Sequence, residues 1–449
     1  MNRLYVGVLS VCLILHCTIK TTISMSTPIA TKAITSSQFR VAIIGGGVAG
    51  CASARRIAQL APSAQITLYE IGRGPGGRAS TRKTRKLPHL YINHGAPYAD
   101  IRTRLGKSII SSLGTSATIP FVGKRGSIDS VTGKLSAESR DDKYDTGTDA
   151  HYITGSNGEM SGISSSLIHN IPSIETKYGT MIRGLASNDG TWELKDKTDT
   201  IVGTSDWLII AGSGIAHPRW SATFGGEPPL IEAEKYNPDP KLKEALDAIA
   251  TQQVSPVLTI FFSFSGPIAR KWLSLDYSVL DVKGSSVLSR VMVQGGNTDV
   301  ECSADEEWCS VVVHSTEGFA LNNQGVYGKS SSAARVAGVA SNASLEDSLI
   351  QKMITALTDM PGIPALDNVS EEDYDYGPVL HRWGNAFPKG DPLSEDLAFV
   401  PSSCVVFCGD YITAEEKARL GSFESALLSG TNAGEKVANY AIQRSRAPR

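Results

Sequence analysis

The sequence predicts an α/β protein of two domains, one with a parallel sheet and helices, the other with a mainly antiparallel sheet and helices. Three observations lead to this prediction. A buried apolar strand near the start closes on the glycine-rich turn Gly45-x-Gly47-x-x-Gly50, and a strand near the C-terminus closes on Gly409-Asp410. Strand-like runs with period-2 alternation lie between them. A chain of 449 residues is also long enough for two domains.

The first turn has the composition of a dinucleotide-binding turn. Val41 to Ile44 is a continuous apolar run, as expected of a parallel strand buried on both faces, and residues 49 to 60 have helical spacing. The first glycine permits the turn, the second lets the backbone approach a diphosphate, and the third lets the helix pack on the strand. The helix dipole and its free N–H groups favour the anion. The predicted phosphate-binding residues are Gly45, Gly47, Val48, Ala49 and Gly50. The alternative is an ordinary structural turn.

An acidic residue follows at the distance that this type of fold requires. Gln65 to Tyr69 is strand-like and ends at Glu70, which lies 20 residues after Gly50. A carboxylate at this position reaches the ribose hydroxyls of a bound dinucleotide. It favours a free 2′-hydroxyl over a 2′-phosphate because like charges repel.

Two further segments favour FAD over NAD. A second glycine-arginine loop contains Gly77 and Arg78. The extended FAD needs such additional contacts along its diphosphate and ribityl chain, and a nicotinamide dehydrogenase does not. After Gly409-Asp410, a helix is predicted to begin at Gly421, Ser422 and Phe423, and its N–H groups can face the flavin edge where negative charge develops. Taken one by one, these segments are also compatible with ordinary turns and helix starts.

In this order, the segments GGGVAG, Glu70, GRGPGGRASTR, NHGAPY, HRWGNAFP and GDYI…GSFESALLSG resemble the renalase-like branch of the flavin amine-oxidase superfamily. The resemblance runs from about Phe39 to about Tyr440. It implies non-covalent FAD in a two-domain fold, and oxidation of dihydronicotinamide-type substrates with O₂ as acceptor. Amine oxidation has also been attributed to the group. The resemblance further implies that the backbone near Ile182 contacts the adenine.

The sequence departs from the family on the substrate side. Asn93 and Pro97 stand where relatives usually carry an acid and a glutamine, and Ala99 replaces an aromatic residue. FAD binding therefore carries over more directly than substrate identity.

The predicted catalytic residues are His94, Arg382 and Trp383. His94 either hydrogen-bonds near the flavin or braces its loop, and Trp383 either touches substrate or belongs to the core. His314 lies on a strand-like run and either faces the site or is a core histidine.

The predicted function is an FAD-dependent oxidoreductase. It takes a hydride from a small reduced substrate, either NAD(P)H-like or an amine, and passes the electrons to O₂ or another acceptor. The alternatives are an amine oxidase or desaturase acting on a hydrophobic substrate, and a non-catalytic escort-type binding protein with the same fold.

The FAD-binding domain is predicted to be discontinuous, with residues 39–110, 155–216 and 396–443. Residues 111–154 and 217–395 are assigned to the substrate domain. Within it, Arg125 to Asp149 is interpreted as an exposed excursion, and Gly325 to Ser341 as a loop.

Composition and charge exclude several classes of protein. The formal net charge of −2 excludes a basic nucleic-acid footprint, and no apolar run reaches the roughly 18–20 residues of a membrane span. No Cys/His spacing predicts a metal site. Cys302 and Cys309 flank an acidic loop and are close enough in sequence to pair.

Residues 1–38 combine an apolar run, Leu4 to Leu15, with a segment rich in Ser and Thr. They are predicted to be an organellar or secretory leader, with a bipartite plastid leader as one form and a disordered tail as the alternative.

Overall fold

The computed structural model describes residues 39–85, 87–137, 151–295, 307–329 and 331–446. Strands in these ranges are β1 (Arg40–Ile44), β2 (Gln65–Glu70), β3 (Thr81–Lys83), β4 (Tyr91–Asn93), β5 (Ala99–Ile101), β6 (Thr118–Pro120), β7 (Arg125–Asp129), β8 (Leu135–Ala137), β9 (His151–Gly155), β10 (Ile174–Tyr178), β11 (Gly184–Asn188), β12 (Thr191–Lys195), β13 (Ile201–Ser205), β14 (Trp207–Ala211), β15 (Gln253–Ser265), β16 (Val279–Lys283), β17 (Leu288–Gly295), β18 (Trp308–Ser315), β19 (Tyr376–Lys389), β20 (Phe399–Val400) and β21 (Val405–Cys408).

The α-helices in the same ranges vary from a single turn to the long C-terminal helix. They are α1 (Val48–Leu60), α2 (Arg104–Ser111), α3 (Ser161–Ile168), α4 (Arg219–Phe224), α5 (Pro229–Tyr236), α6 (Pro240–Thr251), α7 (Gly266–Leu273), α8 (Glu317–Leu321), α9 (Ser332–Ala337), α10 (Ala343–Thr358), α11 (Glu395–Ala398) and α12 (Phe423–Arg446). None of the helices in the described ranges has the length and hydrophobicity that a bilayer span requires.

A six-stranded sheet with the order β10-β2-β1-β14-β21-β20 contains the glycine turn. Its first five strands are parallel, and only β20 runs antiparallel to its neighbour. Apolar side chains cover both faces: Ile43 packs with α1 and α12 on one side, and Ile44 packs with α5 and α6 on the other. This double burial explains why the sequence of β1 is continuously apolar, and it confirms the predicted strands at the glycine turn and before Gly409.

The second large sheet has seven strands, in the order β19-β15-β18-β17-β16-β7-β8. It is antiparallel except for the β16–β7 pair. Alternate residues of its strands, among them Leu258, Ile260 and Val313, form a closed core with α7 and α10. The opposite residues of the same strands are more polar and face the six-stranded sheet's side of the molecule, where a cavity lies. The predicted antiparallel character of this part is confirmed.

Three smaller sheets complete the described structure. They have the orders β11-β12-β13, β3-β4 and β5-β9-β6. The last of these contributes to the cavity wall through Asp100 in β5 and Arg102 just after it.

Two sequence-based expectations about secondary structure differ from the structure. Residues 125–137 are not an exposed excursion, because β7 and β8 extend the seven-stranded sheet. Residues 325–341 are not only a loop, because they include α9. In each case long-range pairing or packing overrides a local composition of turn-forming residues.

Several expectations fall on residues outside the described ranges. The leader, residues 1–38, lies there, and so does Cys302. Its suggested partner Cys309 is buried in β18. The domain boundaries drawn from the sequence stay predictions.

Candidate active site

A cavity of about 540 Å³ lies between the glycine turn and the seven-stranded sheet. Its lining comes from the two ends of the chain and from its middle. The β1–α1 turn, the Gly76–Ala79 segment, the Gly409–Asp410 turn and the start of α12 form one side. Strands of the seven-stranded sheet form the other. Segments far apart in sequence therefore meet around one space.

The glycine turn has the tight geometry that its sequence predicts. Gly45 has φ of +113°, a conformation that L side chains rarely adopt. A Cβ on Gly50 would lie 2.0 Å from the carbonyl oxygen of Gly45, so only glycine fits where α1 meets β1. No side chain caps α1 and no acid lies in its first turn. The helix thus presents its N-terminal N–H groups and positive dipole end toward the cavity, which suits an anion.

Glu70 lies at the end of β2 and borders the same cavity. Its Oε2 accepts a hydrogen bond from the N–H of Gly46 at 2.7 Å, and its Oε1 accepts one from Gly72 at 2.5 Å. Burial raises the pKa of Glu70, and the two N–H groups oppose that rise. A carboxylate can accept about four hydrogen bonds, so lone pairs remain for the hydroxyls of a ligand.

Arg78 and Asp410 form a bidentate ion pair at the cavity edge. Arg78 Nη2 lies 2.5 Å from Asp410 Oδ1, and Nη1 lies 2.6 Å from Oδ2. Nη1 also donates to the carbonyl of Ala386 in β19 at 2.8 Å. The Asp410 side chain is 5% exposed, whereas that of Arg78 is 40% exposed because it borders the cavity. One guanidinium therefore connects the glycine-arginine loop, the end of β21 and the seven-stranded sheet.

The N-terminus of α12 is fixed at the cavity by two anchors. The N–H of Gly421 donates to the carbonyl of Asp410 at 2.9 Å. Glu424, which is buried in the first turn, accepts at Oε1 from the N–H groups of Arg102 and Thr103 at 3.0 and 2.8 Å, and from the Thr103 hydroxyl at 2.7 Å. Ser422 and Phe423 between these anchors line the cavity.

A row of polar side chains crosses the seven-stranded sheet on its cavity face. We call it the polar row; its members are Asp281, Arg290, His314, Thr259 and His381. Each is directly opposite the next on the adjacent strand. Arg290 Nε donates to Asp281 Oδ1 at 2.7 Å. Because alternate residues of the same strands build the apolar core, the register of the sheet places the whole row on the cavity face.

The hydrogen bonding of His314, a member of the polar row, shows which of its ring nitrogens carries the proton. Its Nε2 lies 3.2 Å from the carbonyl oxygen of His94, and a carbonyl can only accept, so Nε2 carries the proton. Burial, together with the charge of the neighbouring Arg290, lowers the pKa of His314 to about 4. The ring is therefore neutral at pH 7 with an unprotonated Nδ1, on a residue that lines the cavity.

His94 lies behind the cavity wall. Its ring is 5.1 Å from the rings of both His381 and Trp383, and burial lowers its pKa well below the usual value, with His381 and Arg82 adding to the effect. Its carbonyl also accepts from Trp383 Nε1 at 3.4 Å. Through that one carbonyl, His94 orients both His314 and Trp383, which do line the cavity.

Most of the residues predicted from the sequence come together around the cavity. Those that border it are Gly45, Gly47, Val48, Ala49, Glu70, Gly77, Arg78, Trp383, Gly409, Asp410, Gly421, Ser422 and Phe423. Four predicted residues, all within the described ranges, do not border it. Gly50 lies beneath the turn, Ile182 is buried in the core on the other face of the parallel sheet, and His94 is behind the wall.

Arg382 is the fourth, and strand alternation explains its position. It pairs with Leu258, whose side chain lies in the apolar core, while the flanking His381 and Trp383 project to the cavity face. The Arg382 guanidinium donates to the carbonyl of Gln324 and lies 5.7 Å from the ring of Tyr327. It is thus directed to the face of the sheet opposite the cavity.

Several residues of the wall were not predicted from the sequence. Tyr98, Arg102, Arg125, Asp281 and Arg290 line the cavity without having been singled out. Alternation within the strand-like run of β17 offered a signal for Arg290. Arg125 offered none, because its strand was assigned to an excursion. No cluster of three or more His, Cys, Asp or Glu side chains suited to a metal ion forms within the described ranges.

Comparisons with known proteins agree with this architecture. Residues 43–102 match the family described as an NAD(P)-binding Rossmann-like domain. A search of curated protein sequences gave no match. Among solved structures, a protein from Exiguobacterium sp. 255-15 assigned as a protoporphyrinogen oxidase is similar with a TM-score of 0.57 and 12% identity, covering 90% of this chain and 99% of that one.

Two other structures are similar over comparable lengths. An oxidoreductase from Methanosarcina mazei has a TM-score of 0.53 and 13% identity, covering 88% of this chain and 99% of its own. A putrescine oxidase has a TM-score of 0.51 and 14% identity, covering 91% and 99%. At such identities the likeness shows the fold. The fold is mixed α/β with a Rossmann-like domain, and the chain shares this fold with the oxidases and the oxidoreductase named above.

Proposed function

We propose that this protein is an FAD-dependent oxidoreductase. The observation that carries the proposal is that one cavity is bordered both by a dinucleotide-type turn with Glu70 and by the polar, aromatic wall of a second sheet. A cofactor on one side and a small substrate on the other would share this space. In such a cavity the chain positions the reactants and excludes water.

The residues around the cavity fit FAD. The uncapped end of α1 and the φ of Gly45 form a backbone cradle for a diphosphate, and Glu70 retains acceptor capacity for ribose hydroxyls. The Arg78–Asp410 pair and the residues from Gly421 to Phe423 extend the lining beyond the length of a nucleotide alone. Bound there, FAD would supply two-electron redox chemistry.

The residues of the wall support a role in orienting a reduced substrate. His314 is neutral and has an unprotonated Nδ1, and Trp383 offers an indole face beside it. Neither needs to exchange a proton when the substrate donates a hydride. The finer proposal is therefore a renalase-like enzyme that oxidises a dihydronicotinamide-type compound, with O₂ or another acceptor receiving the electrons.

An amine oxidase is the second candidate, and the state of His314 favours it specifically. An amine must be unprotonated to be oxidised, and a buried neutral imidazole beside an indole accommodates a neutral amine better than a cation. Direct comparison of substrates separates the two candidates.

The test begins with the colour of the purified full-length chain. We expect a yellow protein with the visible absorbance bands of a flavin, and stoichiometric uptake of added FAD. Anaerobic mixing with NADH, NADPH, their dihydropyridine isomers and a panel of amines should then bleach the visible band with one class of donor. Readmitted O₂ should restore the band, and peroxide would be assayed. A colourless chain that does not take up FAD would contradict the proposal.

A pair of variants tests the assigned orientation of the cofactor. Glu70→Gln should weaken FAD affinity by roughly tenfold or more, because charge-assisted hydrogen bonds are lost. Glu175→Gln, an exposed carboxylate on the neighbouring strand β10, is the matched control. Equal FAD affinity in the two variants would mean that Glu70 does not contact the cofactor.

A targeting role for residues 1–38 is proposed from their sequence alone. Fusion of this segment to a fluorescent protein should direct it to an organelle or the secretory route. A uniform cytosolic signal would contradict the proposal.

A further inference from the structure

The ion pair between Arg290 and Asp281 leaves most of its hydrogen-bonding capacity unused. Arg290 Nε donates to Asp281 Oδ1 at 2.7 Å, and the two side chains form no other hydrogen bond with the residues that the structure describes. A guanidinium carries five N–H donors, and a carboxylate accepts about four hydrogen bonds. Both terminal nitrogens of Arg290 and the second oxygen of Asp281 are therefore available to a ligand.

A second arginine–aspartate pair of the protein provides the contrast. Arg40 donates to Asp206 through Nε and Nη2 at 3.5 and 2.8 Å, and its Nη1 donates to the hydroxyl of Thr204 at 2.6 Å. The exposed fractions of the side chains are similar, 39% and 36% for this pair against 32% and 42% for Arg290 and Asp281. Burial therefore does not explain the difference. What distinguishes the Arg290–Asp281 pair is that both of its residues line the cavity.

The charges around this pair balance at pH 7. His314 lies directly opposite Arg290 on the adjacent strand and is neutral, because its pKa is about 4. The charges of Arg290 and Asp281 cancel, so these three members of the polar row carry no net charge. A cation at this point is repelled by Arg290, and an anion is repelled by Asp281. An uncharged group that has both a donor and an acceptor can pair with both residues without such repulsion.

We propose that the Arg290–Asp281 pair binds a planar, uncharged group of the substrate that presents an oxygen acceptor beside an N–H donor, as a primary carboxamide or a lactam does. Arg290 donates to the oxygen, and Asp281 accepts from the N–H group. The inference rests on the proposed function, since it concerns the substrate side of the same cavity. A site built to hydrogen-bond one group rejects an analogue that lacks the matching donor or acceptor, because polar groups of the site are then left unpaired.

Three planar probes of nearly the same shape test the proposal on the FAD-loaded full-length chain. Benzamide presents an oxygen and an NH₂ group, benzoate presents two oxygens with a negative charge, and benzamidine presents two nitrogens with a positive charge. Titration followed by ligand-detected NMR gives the three dissociation constants. Wild type should bind benzamide more tightly than either charged probe by roughly threefold to tenfold, which corresponds to about one net hydrogen bond.

Two variants should change the order of the three affinities in opposite directions. Asp281→Asn removes the negative charge of the pair, so benzoate should bind most tightly. Arg290→Gln removes the positive charge, so benzamidine should bind most tightly. Asp206→Asn is the matched control, because it removes the same charge from a pair that does not line the cavity, and it should keep the wild-type order.

Several results would overturn the proposal. Wild type would bind none of the three probes, or would bind a charged probe at least as tightly as benzamide. Alternatively, Asp281→Asn and Arg290→Gln would keep the wild-type order, or Asp206→Asn would change it in the same way. If a variant does not fold, the order of affinities in wild type decides.

Competition connects the pair to the substrate. Benzamide should raise the half-saturation concentration of the donor that bleaches the flavin, and Arg290→Gln should weaken this competition by roughly threefold or more. Bleaching without competition would show that the pair does not bind the substrate. Failure to take up FAD, or no bleaching by any donor, counts instead against the proposed function. The order of the three probes, measured on the purified chain, then still decides the role of Arg290 and Asp281.

Discussion

The ion pair between Arg78 and Asp410 should stabilise the fold as well as the site. Arg78→Met leaves the Asp410 carboxylate, which is 5% exposed, without its cation. Breaking a buried pair by removing one partner costs about 3–5 kcal/mol. Because 40% of the Arg78 side chain is exposed to the cavity, solvent screens part of the charge, and we expect the lower end, about 3 kcal/mol.

Urea unfolding of the full-length chain, measured without added FAD, gives this free energy apart from any effect on cofactor binding. The double variant Arg78→Met/Asp410→Asn should recover at least half of the loss, since no uncompensated charge is then buried. Arg40→Met breaks a pair with Asp206 whose side chains are 39% and 36% exposed, and should cost at most about 1 kcal/mol. If Arg78→Met costs no more than Arg40→Met, or if the double variant is as unstable as the single one, burial of the carboxylate does not govern the effect.

Three further predictions follow from the geometry. The free energy of unfolding should fall as the pH falls from about 6.5 to about 4, because His314 takes up a proton in the unfolded chain but stays neutral when buried in the folded one. In His314→Gln, the slope of the free energy of unfolding against pH, measured with urea, should be smaller by up to about 1.4 kcal/mol per pH unit. Gly50→Ala should lower the free energy of unfolding by about 2 kcal/mol or more and abolish FAD uptake, because its Cβ would lie 2.0 Å from a carbonyl oxygen. Gly214→Ala, whose Cβ would have open space around it, should match wild type in both stability and FAD uptake. Arg382→Gln should change the anaerobic bleaching rate by less than roughly threefold, a small effect on this scale, whereas Trp383→Leu should slow it clearly; the reverse order would contradict the assigned faces of β19.

The cofactor side of the cavity could be predicted because its signals are local. Three glycines, a buried strand and an acid at a fixed distance specify a turn whose geometry depends on neighbouring residues only. Gly45 and Glu70 need no information about the remaining chain to be recognised. The later segments at Arg78 and Gly409 were predicted as further FAD contacts. The Gly409 turn lies near the first turn because β21 is parallel to β14 and β1 in the same sheet.

The wall of the cavity could be predicted only in part, because its composition depends on register between distant strands. The register of β18 puts His314 on the same face of the sheet as Arg290 and Thr259. The local sequence does not indicate which face of a strand is covered by helices and which borders the cavity. The same lack of register information put Arg382 beside Trp383 in the predicted site. Arg125 was missed because Gly126, Ser127 and Asp129 give its strand the composition of a loop.

The polar row also constrains how this protein can change. Its members alternate with the side chains of the apolar core along the same strands. Insertion or deletion of one residue in β18 would exchange His314 with Val313, and would place an imidazole in the core and an isopropyl group in the cavity at once. A stabilising substitution elsewhere would not restore function after such an insertion or deletion, because both the apolar core and the ligand contacts of the cavity are lost. Variation in this sheet is therefore confined to replacement of single side chains at constant strand length, and insertions are expected only in the loops between strands.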